Sequence, residues 1–131
     1  MSMLGPSLDD LLSMCGGRFT LKTTCMLMSE LISRIQHVHQ KQFIHRDIKP
    51  DNLLMGLRRS SATVHMIDYS LTKRYITKQN THIRCKPKSR LVGTVRYASL
   101  NSHLGMELSR RDDLECAIYT VLQGLYGVLP W

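Results

Sequence analysis

The feature that most constrains this chain is a polar run that lies between two apolar segments. Residues 45–52 read His-Arg-Asp-Ile-Lys-Pro-Asp-Asn, with Phe43-Ile44 before them and Leu53-Leu54-Met55 after them. Asp68 follows sixteen positions after Asn52. A run with this many defined positions is far more specific than a lone glycine motif. We therefore interpret it as a loop that carries chemistry, and the alternative is a chance polar loop.

This run resembles the catalytic loop of protein kinases, which carry H-R-D-x-x-x-x-N and then a metal-binding Asp. The resemblance implies that Asp47 accepts the proton of a substrate hydroxyl and that Lys49 offsets charge on the transferred phosphoryl group. It also implies that Asn52 and Asp68 hold Mg²⁺, an ion that prefers hard oxygen ligands. The alternatives are a surface pair for Asp47 and Lys49 and a turn-forming role for Asn52.

Further segments are similar to the casein kinase 1 family of serine/threonine kinases, from the first residues of the chain to the last. They are Leu4-Gly5-Pro6-Ser7-Leu8, residues 43–52, Leu54-Met55-Gly56, residues 93–99, His103-Leu104-Gly105, residues 109–115 and Leu129-Pro130-Trp131. Most kinases have Ala-Pro-Glu where this chain has Ser99-Leu100-Asn101, which resembles that family's own variant. The resemblance implies transfer of the ATP γ-phosphoryl group, with Mg²⁺, to Ser or Thr hydroxyls of acidic or already phosphorylated proteins.

The same resemblance implies nucleotide contacts outside the loop. The backbone around Met3 would bind the nucleotide at the hinge, and Asp10 would bind the ribose. Leu54 would lie under the adenine and Ile67 would line the pocket, and the alternative for both is an ordinary place in the core. Met1 falls at the gatekeeper position of the family.

Three more residues match positions around the family's catalytic loop. Thr94 resembles a threonine that hydrogen-bonds the catalytic Asp and Lys, and the alternative is a strand threonine. Arg96 resembles an arginine that binds an anion near the substrate groove. Asp113 resembles an Asp at a helix start that anchors the catalytic-loop backbone. The alternative for Asp113 is a simple N-cap, and both roles can hold together.

The expected fold is mostly α with a small β hairpin. Residues 1–131 would form one partial kinase domain, a kinase-like C-terminal lobe without the N-terminal lobe. The sequence contains no glycine-rich loop and no Val-Ala-Ile-Lys strand, both of which kinase chemistry needs. We therefore expect this chain alone to be inactive or nearly so. The rival hypothesis is a catalytically dead module that binds partners or competes for them.

Local patterns predict the main elements. Ser7 should cap a helix that ends at Met14 before Gly16-Gly17, and Thr20 should cap a longer helix to about Gln40. Residues 53–55 and 64–67 should form a hairpin, and residues 69–108 an irregular segment. Asp112 or Asp113 should start a last helix. The side chains expected on its buried face are Leu114, Ile118, Val121, Leu122 and Leu125.

The chain departs from the kinase pattern at a few positions. Asp68-Tyr69-Ser70 stands where kinases have Asp-Phe-Gly. The Tyr69 hydroxyl would enter an apolar slot, at a cost of roughly 1–3 kcal/mol if unpaired. Ser70 would restrict a backbone that glycine tolerates best. Ile118 replaces a usual glycine and could crowd the helix packing, and Val95 replaces an alanine.

The formal net charge is +8, which favours an anionic partner. The basic residues cluster at Arg58, Arg59, Lys73, Arg74, Lys78, Arg84, Lys86, Lys88, Arg90, Arg96, Arg110 and Arg111. The expected partner is an acidic or phosphorylated protein segment. The alternatives are solvated faces and non-specific binding of nucleic acid, which is not the expected partner. No membrane partner is expected, because no apolar run has membrane length. A partner protein could cover an apolar face of the last helix.

The cysteines have no zinc-type spacing. We expect all four, at positions 15, 25, 85 and 116, to be reduced. Cys25 and Cys116 would be small core residues. Reduced cysteines are typical of cytoplasmic or nuclear proteins, and that is the expected location.

Overall fold

The fold combines helices with two small sheets. The computed structural model describes residues 3–87 and 90–131. Its helices are α1 (Leu8–Met14), α2 (Leu21–Gln40), α3 (Leu100–His103) and α4 (Arg110–Tyr126), and its strands are β1 (Phe43–Ile44), β2 (Leu53–Met55), β3 (Val64–Met66) and β4 (Lys73–Arg74). Met1, predicted at the gatekeeper position, and Lys88 of the basic clusters lie outside the described residues.

The first two helices begin where their caps predict. Ser7 Oγ accepts a hydrogen bond from the Asp10 backbone N–H at 3.1 Å, and the Asp10 carboxylate accepts one from the Ser7 N–H at 2.9 Å. This reciprocal capping box satisfies backbone donors at the start of α1. Thr20 Oγ1 accepts from the N–H of the third residue of α2 at 3.2 Å. Both predicted helices are therefore confirmed.

The last helix begins earlier than predicted. Ser109 is its N-cap, and Asp112 is its third residue, whose carboxylate accepts a hydrogen bond from the Ser109 N–H at 2.7 Å. The capping box thus moves the first helical residue to Arg110. Asp112 and Asp113 lie inside the first turn, where acidic side chains interact favourably with the helix dipole.

The buried face of α4 was predicted wrongly. Leu114 and Ile118 are 41% and 47% exposed, and Val121, Leu122 and Leu125 are only half-buried. The buried face is small and polar instead, and it consists of Asp112, Asp113, Cys116, Ala117, Thr120, Gln123 and Gly124. Small side chains let α4 approach α2 and Phe19 closely, since a Cβ at Gly124 would lie 3.1 Å from the Phe19 ring. Ile118 faces outward, so the predicted crowding does not arise.

The core lies between α2, α4 and the β2–β3 hairpin. Leu31 and Ile35 of α2 are buried there, with Leu27 and Val38 partly buried beside them; these four positions recur at helical spacing and so share one face of α2. Cys25 was predicted as a core residue, but it is exposed on another face of α2. Among the residues that the structure describes, no helix is long and apolar enough to span a membrane.

Two antiparallel pairs of strands frame the loop between them. Strand β2 pairs with β3, with Leu53 opposite Met66, so the predicted hairpin is confirmed, although β3 ends one residue early. Strand β1 pairs with β4, with Ile44 opposite Lys73. This second pair was not predicted, because a two-residue strand has no periodicity to detect. It holds residues 73–74 beside the start of the 45–52 run.

Candidate functional site

The carboxylate of Asp47 is the centre of the site. Its Oδ1 accepts hydrogen bonds from the Thr94 backbone N–H at 2.9 Å and from Thr94 Oγ1 at 2.8 Å. Its Oδ2 accepts one from Asn52 Nδ2 at 3.1 Å and lies 3.6 Å from Lys49 Nζ. The structure thus brings together four of the residues that the sequence singled out. Donors on both carboxylate oxygens fix the orientation of this side chain.

The Asp113 carboxylate anchors the backbone at the start of the 45–52 run. Its Oδ2 accepts from the His45 N–H at 2.9 Å and from His39 Nε2 at 2.8 Å, and its Oδ1 accepts from the Arg46 N–H at 2.9 Å. Arg46 has a φ of 73°, a conformation that costs free energy for a side chain with Cβ. The buried carboxylate offsets this cost. Asp113 is therefore placed as the predicted anchor, on α4 but not at its N-cap.

A buried histidine connects the loop to the strand that leads to Asp68. His45 Nε2 donates to the Ile67 carbonyl at 3.1 Å, and His45 Nδ1 accepts from the Asp47 N–H at 3.3 Å. One ring nitrogen thus donates and the other accepts, a pattern that corresponds to the tautomer with its proton on Nε2. His45 thus sets the distance between the Asp47 loop and the end of β3.

Thr94 reaches Asp47 because Gly93 precedes it. Gly93 has a φ of 94°, and a Cβ there would lie 2.5 Å from the Arg46 carbonyl oxygen. Only glycine accommodates both the positive φ and this close approach. The loop around residue 93 can therefore pass directly over the backbone of the 45–52 run.

Asn52 and Asp68 offer oxygen ligands of the type that a small divalent cation prefers. Asn52 Nδ2 donates to the carbonyl and to the carboxylate of Asp47, which leaves its Oδ1 without a partner among the described residues. Asp68 is exposed with a φ of 59°. Its Oδ1 accepts from the Ser70 N–H at 3.2 Å and from Ser70 Oγ at 2.6 Å, and these bonds lower the pKa of the Asp68 carboxyl. An amide oxygen and an ionised carboxylate fit such a cation.

Residues 2–102 match the model of the protein kinase domain. The chain belongs to the protein kinase family. The matched residues include the whole catalytic run, Asp68 and Thr94. Enzymes of this family use ATP with divalent metal ions, and the oxygen ligands of Asn52 and Asp68 agree with that use. The anchoring Asp113 lies beyond the matched residues, on the helix that follows them.

The segment between two of the predicted nucleotide residues of this kinase chain, Met3 and Asp10, runs beside strand β2, which holds Leu54. Residues 5–7 run beside β2, where the Gly5 N–H donates to the Met55 carbonyl at 2.8 Å and Ser7 bridges to Leu54. Met3 is 85% exposed, and Leu54 and Ile67 are half-buried. The Asp10 carboxylate is exposed, and its hydrogen bonds in the α1 cap lower its pKa. A ribose contact by Asp10 would therefore share the side chain with the cap.

Arg96 of the kinase chain is not among the described residues that contact the Asp47 carboxylate. Its side chain is exposed, with the guanidinium 5.9 Å from the centre of the Tyr97 ring. The Arg96 carbonyl accepts from Trp131 Nε1 at 3.0 Å, which fixes the backbone but not the charged group. The neighbouring Val95 is also exposed, so its extra bulk meets no core.

Tyr69 does not lie in a closed apolar slot. It is 51% exposed, and its ring packs edge-on against His45 with 5.1 Å between ring centres. Partial burial still raises the pKa of the Tyr69 phenol. The predicted cost of an unpaired buried hydroxyl therefore does not apply at this exposure.

Sequence reasoning missed a support beneath the kinase loop. Besides holding Asp113, His39 is itself held: its carbonyl accepts from Tyr75 Oη at 2.8 Å. The Tyr75 ring is buried, with the guanidinium of Arg110 at 4.8 Å from its centre. A single histidine near a helix end carries no motif or periodicity, so this role could not be predicted from the sequence.

Proposed function

We propose that this chain is the C-terminal-lobe part of a serine/threonine kinase similar to casein kinase 1. It would transfer the ATP γ-phosphoryl group to Ser or Thr hydroxyls of acidic or already phosphorylated proteins. The single observation that carries the proposal is the Asp47 carboxylate oriented by Thr94 and Asn52 beside Lys49. The match to the protein kinase domain supports the reaction class, and the casein kinase 1 type rests on the sequence resemblance.

In the proposed reaction Asp47 is the general base. Its Oδ1 is filled by two hydrogen bonds from Thr94, whereas Oδ2 has longer contacts of 3.1 Å and 3.6 Å. Oδ2 is therefore the oxygen that accepts the proton of the substrate hydroxyl. As the hydroxyl oxygen forms its bond to the γ-phosphorus, the bond from that phosphorus to the bridging oxygen breaks and ADP leaves. Lys49 offsets charge on the transferred group.

The nucleotide and the cation would be held by residues on either side of Asp47. Asn52 Oδ1 and the Asp68 carboxylate would hold Mg²⁺, which neutralises phosphate charge when bound. Backbone near Met3, with Leu54 and Ile67, would contact the base. With these contacts the site would bind Mg·ATP.

Nucleotide binding is the first test. A melt of the purified chain followed by circular dichroism should be cooperative, and Mg·ATP should raise its midpoint. Asp68→Ala should remove the shift; it should also lower the midpoint of the free chain by a few degrees, because Asp68 has a φ of 59° and caps the Ser70 N–H, so the shift is compared with each variant's own free chain. A midpoint that ignores Mg·ATP would contradict the proposal of a nucleotide site.

We further propose that these 131 residues alone transfer phosphate very slowly. No glycine-rich loop is among them to cover the phosphates, and the family's rate depends on that loop and on a strand lysine. The measurement is incorporation of the γ-phosphoryl group into an acidic Ser-containing peptide, with Asp47→Ala as the control. A rate well above the control would refute the slow rate and support the reaction.

A binding or competitor module is the second candidate. The observation that favours it is the sequence Asp68-Tyr69-Ser70, in which Ser70 donates hydrogen bonds to the Asp68 carboxylate, a proposed cation ligand. Capture on an immobilised acidic peptide should then survive Asp47→Ala and Asp68→Ala but fail with Arg96→Ala. Loss of capture in the first two variants would favour the enzyme instead.

Partner and location belong to the same proposal. The exposed side of α4, with Leu114, Ile118 and Tyr126, would suit a covering protein partner. All four cysteines are free, in agreement with a cytoplasmic or nuclear location. The formal charge of +8 favours acidic protein partners. Strong binding to nucleic acid with a steep salt dependence would contradict this preference.

A further inference from the structure

Ser70 takes up one oxygen of the carboxylate that should bind the cation. Asp68 Oδ1 accepts from both Ser70 Oγ, at 2.6 Å, and the Ser70 N–H, at 3.2 Å. We infer that Ser70 is a positioning residue that limits Asp68 to coordination through Oδ2 and thereby weakens divalent-cation binding. This inference rests on the proposed function, because it concerns the same Mg·ATP site.

The limit follows from the capacity of a carboxylate oxygen. Each oxygen has two lone-pair sites, and Ser70 fills both sites of Oδ1. Among the described residues, Oδ2 of Asp68 has no hydrogen-bond partner. A cation can therefore bind Oδ2 without breaking a protein hydrogen bond, but it can add Oδ1 only by breaking one. A hydroxyl that donates to an ionised carboxylate at 2.6 Å makes one of the stronger bonds of this kind.

The hydroxyl, rather than the backbone, makes this site different from one with glycine at position 70. Glycine or alanine would keep the N–H donor at 3.2 Å but lose the donor at 2.6 Å. Asp68 and Ser70 are both exposed, so water competes with the Ser70 hydroxyl. The expected effect is that of one hydrogen bond to a charged group in solvent, about a two- to tenfold change in affinity.

The test measures Mn²⁺ binding in the presence of ATP by equilibrium dialysis across a membrane that retains the chain; free ATP and Mn·ATP equilibrate on both sides, so the excess Mn²⁺ on the protein side is bound to the chain. Ser70→Ala should bind Mn²⁺ about two- to tenfold more tightly than the unchanged chain, and Ser70→Thr, which keeps a hydroxyl, should not. Ser33→Ala is the matched control, because its exposed hydroxyl donates to the Ser29 carbonyl at 3.0 Å within α2, outside the site. Thermal melts check that every variant is folded.

The outcomes separate this inference from the proposed function. If Asp68→Ala abolishes Mn²⁺ binding while Ser70→Ala leaves it unchanged or weaker, the role of Ser70 is overturned and the nucleotide site stands. If neither the unchanged chain nor Ser70→Ala binds Mn²⁺ with ATP, the proposed function fails, and the inference fails with it. Tighter binding in Ser70→Ala and also in Ser33→Ala would overturn the inference too, since the effect would not belong to Asp68.

Discussion

Replacing Asp113 by alanine should cost a large part of the stability of the chain. The carboxylate accepts three hydrogen bonds of 2.8–2.9 Å, from His39 Nε2 and from the backbone N–H groups of His45 and Arg46. Asp113 is 1% exposed, so alanine leaves these donors without a replacement partner. At roughly 1–3 kcal/mol per unpaired buried donor, and with partial access of water to Arg46, the loss is about 3–6 kcal/mol. Whole domains are stable by only about 5–15 kcal/mol.

Urea unfolding followed by circular dichroism measures this loss. Glu30→Ala is the matched control, because that carboxylate is on α2 with a single 3.8 Å contact to Arg34 and both side chains are about two-fifths exposed. It should change the free energy of unfolding by at most about 0.5 kcal/mol. Asp113→Asn keeps the shape and one good acceptor, so its loss should be intermediate. A loss for Asp113→Ala within about 1 kcal/mol of the control would refute the anchoring role, since one unpaired donor alone exceeds it.

Three further predictions concern a glycine and the titrating groups. Gly93→Ala should destabilise the chain by about 1–3 kcal/mol more than Gly16→Ala in the same urea assay, because both have positive φ but only Gly93 faces a backbone oxygen at 2.5 Å from the added Cβ. A thiol reagent at pH 8 should modify the three exposed cysteines quickly and Cys116 only after unfolding, since burial raises the pKa of Cys116 to about 12; rapid reaction of all four would contradict its burial. Stability should fall as pH rises above about 9, because unfolded Cys116 and Tyr119 lose their protons at lower pH than in the fold, where both pKa values are about 12; Cys116→Ala should reduce this slope, and an unchanged slope would exclude that thiol as its source.

Local chemistry made much of this structure predictable. Ser7 and Thr20 define α1 and α2 because a cap and its first turn are neighbours in the sequence. The face of α4 could not be predicted in the same way. Its Leu and Ile side chains predict an apolar core face, yet the residues that α4 buries are small: Ala117 lies in the core with Leu31 and Ile35 of α2, and Gly124 lies against Phe19. The hydrophobic pattern of a helix predicts which side is apolar, but it does not predict which neighbouring element covers the helix or which side is buried.

In the candidate site, too, the short-range features could be predicted and the long-range contacts could not. The run from Asp47 to Asn52 is short, so its spacing alone places base, lysine and amide on one loop. The link between His39 and Asp113 spans 74 positions, and no sequence pattern connects residues so far apart. The start of α4 was also ambiguous in the sequence, because either Asp112 or Asp113 could have been its first residue. The capping box of Ser109 with Asp112 places both of them inside the first turn. Long-range anchors of this kind become visible only when the helices are packed.

The hydrogen bonds of Asp47 support its proposed role as the base, whereas those of Asp68 oppose its proposed role as a cation ligand. Cation binding is therefore the weak step of the proposed reaction. Asp47 is oriented by donors from Thr94, Asn52 and Lys49. These donors occupy no oxygen that the proposed cation needs, because the proposed ligands are Asn52 Oδ1 and the Asp68 carboxylate. Asp68 is exposed, and its hydrogen-bond partner among the described residues, Ser70, does compete. A weakened cation site can be filled by mass action, whereas a lost base cannot. Raising the Mg²⁺ concentration should therefore restore nucleotide binding in the unchanged chain to the level of Ser70→Ala, and a persistent difference at saturating Mg²⁺ would show that Ser70 acts on something other than cation affinity.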